Sequence, residues 1–157
     1  MSYTQVCIHY VWTTKYRNPV LVMPYRVLLF KHIKENAKIK NILLDRINGY
    51  LDHVHCLVWL RPEQTIDGIV QLIKGESANW FNNRSGFEHN RLQWQTNYFA
   101  LSVSPSVLEK TRAYIDTQEL HHRKQTFDEE YTGLMEIFAG CNGGKGANPG
   151  LKARERE

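Results

Sequence analysis

The sequence predicts an α+β domain, an antiparallel sheet with helices packed on it, close to the ferredoxin-like or split β-α-β plan. Three observations lead there. "QVCIHYVWTTKYR" alternates with period two, and "NILLDRINGYLDHVHCLVWL" has room for two successive strands. The stretches that begin at Tyr25 and near Pro62 change to helical spacing. The whole then reads β-α-β-β-α-β-(β)-α, with strand pairs between the helices.

In the first strand Val6, Ile8, Tyr10 and Trp12 share one side, and Cys7, His9 and Val11 the other, so both faces are largely covered. Prolines 19 and 24 bracket the connection to a helix from Tyr25 to about Lys40. There Leu29, Phe30, Ile33 and Ala37 gather on one arc, beside a stripe of Lys31, Lys34 and Lys38. The turn between the next two strands falls at Asn48-Gly49 or at Leu51-Asp52; periodicity allows either. A second helix starts near Pro62 and turns Ile66, Ile69, Val70 and Ile73 to the core. "LQWQTNYFALSVS" is strand-like, with Asn97 suited to a left-handed turn position. Ser104 before Pro105 suits the start of a third helix, and Ser106 with Glu109 fits a capping box one step later. Residues 1–135 are expected to form one domain, and the glycine-rich, then charged, 136–157 a flexible tail.

With 157 residues the chain is long enough for one domain with a core. Apolar residues make up 42% and aromatic ones 11%, which excludes a disordered chain. No apolar run approaches the ~20 residues of a membrane span, and "MSYTQV" is no signal peptide, so an intracellular, cytoplasmic protein is expected. Cys7, Cys56 and Cys141 are odd in number with no CxxC pair, and read as reduced thiols. Residues 15 to 46 carry eight basic side chains against two acidic ones, a net +6 where the whole chain has +4. That density suits a polyanion such as nucleic acid, and equally a solvated helix face.

The stretch with most chemistry is "DHVHC". On a strand, His53, His55, Leu57 and Trp59 face one way, and Val54, Cys56, Val58 and Leu60 the other. Two imidazoles roughly 7 Å apart along one strand face can converge on a divalent ion if a third ligand joins them. They can also be a hydrogen-bonded structural pair at a strand end. In the third helix Tyr114 and Gln118, four apart, share a face that Val107 and Thr111 extend, with Leu108 and Ile115 as the packing stripe beside it. A tyrosine can break a phosphodiester and store its energy in a phosphotyrosine ester, and glutamine offers a carbonyl oxygen to a metal. A buried helix aromatic is the structural alternative for Tyr114.

An HxH strand followed by YxxxQ on a late helix resembles the single-tyrosine HUH transposases of small bacterial insertion sequences, the IS200-like family. "YVWTTKYRNPVL" is similar to the family's opening strand and the turn after it, and "INGYLDHVHCLVWL" to its metal-binding strand, favouring the turn at Leu51-Asp52. "IVQLIKGESANWFN", "WQTNYFALSVSPS" and "YIDTQELHHRKQTFDEEY" resemble the second helix, the last strand pair and the nucleophile helix with its exit. Asn97 stands where glycine is common, and Cys56 where leucine is.

The resemblance implies that His53, His55 and Gln118 hold Mg²⁺ or Mn²⁺, and that Tyr114 attacks the scissile phosphate to leave a 5′-phosphotyrosine and a free 3′-OH. It implies a homodimer acting on single-stranded DNA with hairpins at the element ends, and no nucleotide cofactor. It also implies a nucleophile helix able to serve the partner's site, for which Ser102 to Ser106 could be a hinge. Candidates for DNA contact are Lys15, Arg17, Lys74, Arg84, His121, His122, Arg123 and Lys124, with Trp80 either stacking on a base or packing in the core. Two other readings stay open. One is a related HUH relaxase, replication nuclease or domesticated derivative, against which the short chain argues. The other is a non-catalytic nucleic-acid-binding module on a ferredoxin-like sheet.

Overall fold

The computed structural model describes residues 2–84, 86–87, 89–122, 128–130, 132–133 and 136, with the side chains of 121 and 122 left aside. The chain divides into two compact units, Met1–Gln118 and Glu119–Glu157. In the first, β1 (Val6–Thr13), β2 (Leu43–Gly49), β3 (His53–Leu60) and β4 (Phe99–Ser102) form one sheet in the order β2-β3-β1-β4. All its pairings are antiparallel. Strands β1 and β2 therefore run parallel with β3 between them, which is the split β-α-β arrangement. The helices are α1 (Tyr25–Ile39), α2 (Ile66–Asn82), α3 (Leu108–Asp116) and the short α4 (Gln118–His122). In the second unit the described residues beyond α4 are helical. The expected tail, 136–157, lies outside the described residues except for Glu136.

Period-two alternation sorts the side chains onto two unequal faces. Ile8, Tyr10 and Trp12 of β1 join Val54, Cys56 and Val58 of β3 on the face covered by α1 and α2, whose Leu29, Phe30, Ile33, Ile69, Val70, Ile73 and Phe81 complete the main core. On the other face lies a small cluster of Cys7, Leu57 and Ile115, with Trp59, Val103, Leu108 and Tyr114 partly buried around it. Among the described residues of this cluster, the helical ones belong to α3. The lysine stripe of α1 is exposed, as its position beside the apolar arc requires.

Local details depart from the sequence expectations for identifiable reasons. The first strand ends at Thr13, and Lys15–Arg17 forms a 3₁₀ turn in which Tyr16 and Arg17 have φ of 57° and 52°. The second helix begins at Ile66 rather than near Pro62, because Thr65 Oγ1 accepts from the amide of Gly68 at 2.9 Å and caps it there. Asn48 and Gly49 stay in β2, and the turn spans 50–52, agreeing with the Leu51-Asp52 alternative. Of "LQWQTNYFALSVS" only Phe99–Ser102 pairs as a strand. Leu92 and Trp94 keep the alternation but are buried as loop anchors, with Asn82 bonded to both backbone groups of Leu92 and the indole of Trp94 donating to Ser77 Oγ. Asn97 is not left-handed; Asn41 is, at φ 59°. The capping box does not form, since Ser104 and Ser106 bond each other and Glu109 pairs with Arg112.

Candidate active site

Strand β3 starts at His53, and the ladder sets Thr13 opposite His53 and Val11 opposite His55. Both imidazoles emerge on the face that α3 covers, and both are fully buried. The turn that precedes them orients the first. Asp52 Oδ1 lies 2.8 Å from His53 Nδ1; a ring that donates its Nδ1 proton to the carboxylate keeps a lone pair on Nε2. That nitrogen faces Gln118 Oε1 at 3.3 Å. The glutamine's own orientation is set by its amide group, which donates to the carbonyl of Tyr114 at 3.2 Å and turns Oε1 toward the histidine. A ring nitrogen and an amide oxygen from distant parts of the chain thus converge.

Tyr114 and Gln118 do not share one continuous helix. Helix α3 stops at Asp116, with Thr117 at φ −108° and ψ 23°, and Gln118 opens α4. The break folds Gln118 back under Tyr114 and brings both to the imidazoles. The Tyr114 ring, half-buried, meets His55 edge-on with centroids 5.6 Å apart. Nucleophile candidate, imidazole pair and glutamine therefore meet within a single chain.

Contacts outside the motifs hold α3 in place, among them an ion pair of Arg46 with Asp116 at 3.4 Å. Ile115 is the fully buried side chain of the helix, against Cys7 and Leu57. Asn48, the cross-strand partner of His55 on the same face, donates to the carbonyl of Ile115 at 2.9 Å and so satisfies a helix-end acceptor. Asp45 sits where the β2–β3 register shifts between Leu44 and Arg46, a bulge that turns its carboxylate toward α3. Arg112 grips it with two hydrogen bonds, of 2.9 and 2.6 Å, and Trp59 Nε1 donates a third at 3.0 Å. The Arg112 guanidinium holds the Asp45 carboxyl below its ordinary pKa, and the Trp59 bond adds to this against the opposing effect of burial.

The candidate DNA contacts are scattered. Lys15 and Arg17 flank Tyr16 on the left-handed turn, whose base is tied to the site by the bond from Thr14 N to Asp52 O at 2.8 Å. The ammonium of Lys15 lies 5.4 Å from the Tyr16 ring. Arg84 is exposed, with its cation 4.9 Å from the Trp80 ring. That indole also stacks on His32 at 4.1 Å and 7° and meets Phe87 edge-on at 6.2 Å, so Trp80 packs among its own chain's rings. Lys74 is buried: its ammonium donates to the carbonyls of Gln95 and Thr96, and burial pulls its pKa down to about 8. His121 and His122 belong to α4 but their side chains, like Arg123 and Lys124, lie outside the described residues.

Two participants have no assigned role in the sequence. Asp52, the acid directly before HxH, marks the pair there without its bond to His53 being legible. His9 was placed on the less apolar side of β1 and given no role; its Nε2 is 2.8 Å from His55 Nδ1. Only the strand register could pair those two.

Fold and site together define a protein of the HUH type, an antiparallel sheet with a histidine pair on one strand and a tyrosine helix laid over it. A family model described as "Transposase IS200 like" matches residues 2–118, and the chain belongs to that family. It is a DNA transposase. Among curated relatives it is similar to the ISDra2 transposase TnpA of Deinococcus radiodurans, 28% identical over 122 residues, covering 73% of this chain and 84% of the relative. A solved structure from D. radiodurans R1, assigned to the transposases, superimposes with a TM-score of 0.60 at 28% identity, over 74% of this chain and 93% of that one. A REP-associated tyrosine transposase bound to a REP hairpin shares the fold, with a TM-score of 0.57 at 13% identity, over 78% and 72%. Among the described residues no helix is long and apolar enough to cross a membrane.

Proposed function

We propose that this transposase, as a homodimer whose catalytic domain is residues 1–135, cleaves and rejoins single-stranded DNA beside hairpins at the ends of its element. Tyr114 is the nucleophile, and His53, His55 and Gln118 hold Mg²⁺ or Mn²⁺. The observation that carries this reading is the convergence of His53 Nε2 and Gln118 Oε1, 3.3 Å apart, beside a tyrosine ring 5.6 Å from His55. With the His53 proton on Nδ1 toward Asp52, the ring nitrogen and the amide oxygen form a nitrogen–oxygen donor set that suits a divalent cation. Asp52 behind His53 is the carboxylate partner that ligating histidines commonly have. The donor set fits the ion. Hairpin recognition draws support from the relative of the same fold bound to a REP hairpin.

When bound, the ion supplies Lewis-acid polarisation of a non-bridging phosphate oxygen. The chain's own part is attack and positioning. The Tyr114 oxygen bonds to phosphorus as the bond to the 3′ oxygen breaks; the phenol gives up its proton and the departing oxygen takes one up. The phosphodiester energy stays in the tyrosine ester, so a later 3′-OH can reverse the step without ATP. A phenol with a pKa of about 10 is a poor nucleophile near neutrality, which is why it is held against a cation site. Asp45, Asn48 and Ile115 fix where it stands.

The test is an oligonucleotide carrying one element end, incubated with protein and Mn²⁺ and resolved on a denaturing gel. Wild type is expected to give a covalent protein–DNA band; Tyr114→Phe is expected to give none. An undiminished band from Tyr114→Phe rejects the nucleophile, and wild-type cleavage by His53→Ala rejects the metal site.

A further inference from the structure

His9 has no place in the reading above, yet it is buried at 7% exposure in the middle of β1, where a leucine would pack without a polar group to satisfy. Along the ladder it faces Leu57, so His55, two residues away on the same strand face, is its diagonal neighbour. Diagonal pairs stand roughly 7–8 Å apart at the backbone, within reach of two rings. The rings tilt toward each other with centroids 5.0 Å apart, and His9 Nε2 meets His55 Nδ1 at 2.8 Å. One proton lies between these two nitrogens, and which ring owns it decides the chemistry of His55. If His9 donates, His55 carries its own proton on Nε2 and has no lone pair on that side. If His9 accepts, His55 is protonated on Nδ1 and its Nε2 is a ligand atom.

We propose that His9 is a positioning residue that accepts the Nδ1 proton of His55 and so fixes that ring in its metal-binding tautomer. This rests on the metal site of the proposed function. It completes a pattern half visible already: Asp52 takes the Nδ1 proton of His53 at 2.8 Å, and His9 does the same for His55 at the same distance. Each histidine of the HxH pair then has its own acceptor, one from the turn before it and one from the neighbouring strand. The two acceptors differ in kind. A carboxylate raises the basicity of the ring it serves, whereas a neutral imidazole aligns without adding charge, so His55 is the softer-held ligand of the two. His9 also borders the nucleophile, with the Tyr114 ring edge-on at 6.5 Å, so the His9–His55 pair forms a continuous aromatic floor under that residue.

The decisive measurement needs no variant of His9. The full chain labelled with ¹⁵N-histidine, metal-free, is recorded by two-bond proton–nitrogen correlation, with His55 assigned from a His55→Gln spectrum. The expected pattern is a proton on His55 Nδ1; a proton on Nε2 overturns the proposal. Mn²⁺ titration followed by the free-ion EPR signal provides the second arm. His9→Leu is expected to weaken affinity roughly 10- to 100-fold, while His9→Gln, whose amide oxygen can still accept, stays close to wild type. Unchanged affinity in His9→Leu, or equal loss in both variants, refutes the tautomer role. His53→Ala is the control that separates the two levels. If it loses Mn²⁺ while His9→Leu does not, only His9's role fails; if it binds like wild type, the metal-site reading itself fails.

Discussion

Ile115 anchors α3, the helix that carries Tyr114, and shortening it should loosen that helix before it loosens the sheet. The side chain is fully buried, with Cys7 of β1 and Leu57 of β3 beneath it. Ile115→Ala removes three carbons at about 0.8 kcal/mol each. A cavity term is added because a sheet surface cannot rise to fill the gap. The sum is about 3 kcal/mol, or on the order of 100-fold in the docking equilibrium of α3. Ile115→Val removes one carbon and should cost about 1 kcal/mol. Amide hydrogen exchange on the full chain reads this directly. In Ile115→Ala the α3 amides should exchange roughly 100-fold faster, while those of β1 and β3 change far less, and phosphotyrosine formation should fall in the order wild type, Val, Ala. If α3 amides keep wild-type protection, or if sheet amides accelerate as much as those of α3, the helix is not docked as a separable element through this residue and the reasoning is wrong.

Two further predictions concern the strand that supports the site. In Gly49→Ala the new Cβ would collide with the carbonyl oxygen of His53, which is backbone and cannot swing aside; stability should fall by about 1–3 kcal/mol in urea unfolding, with weaker Mn²⁺ binding because His53 must move. Asp45→Asn tests the grip on α3 through its pH dependence. The wild-type carboxyl titrates below its unfolded value because of Arg112. Its contribution is therefore complete above about pH 4 and lost as pH falls through the lower folded value. Urea midpoints of wild type and Asp45→Asn should differ at neutral pH and converge in acid; a gap that stays constant with pH means the ion pair does not stabilise the fold.

What the sequence made legible is what periodicity encodes. Alternation in 53–60 assigned every β3 side chain to its face, and the apolar arc Leu29, Phe30, Ile33 and Ala37 is buried as expected. Hidden features were those decided by register or by side-chain bonds across the fold. Nothing in "LLDRING" announces that Asp45 bulges out, because a bulge is a mismatch between two strands and appears only when both are aligned. The YxxxQ spacing suggested one helix face, but the chain breaks at Thr117, and Gln118 reaches the histidine through its bond to the Tyr114 carbonyl. Lys74 looked like a surface cation because its position beside buried Ile73 does not reveal the loop carbonyls waiting above it.

The two faces of the sheet divide the labour. Where α1 and α2 pack, a broad core joins three strands and both helices, and no residue of the candidate site takes part. Where α3 packs, three fully buried apolar residues, one bulged aspartate and one asparagine hold the helix that carries Tyr114. The histidines lie on this second face, under α3. Their backbones belong to the β1–β3 ladder, while the helix above them is a separate element laid on the sheet. The proposed reaction, which forms and later breaks a covalent link between helix and DNA, suits this combination: the proposed cation site stays fixed through both steps while the tyrosine leaves with its load. A larger apolar cluster under α3 would stabilise the protein and hinder that departure, which gives a physical reason why the face stays small while the opposite one is full.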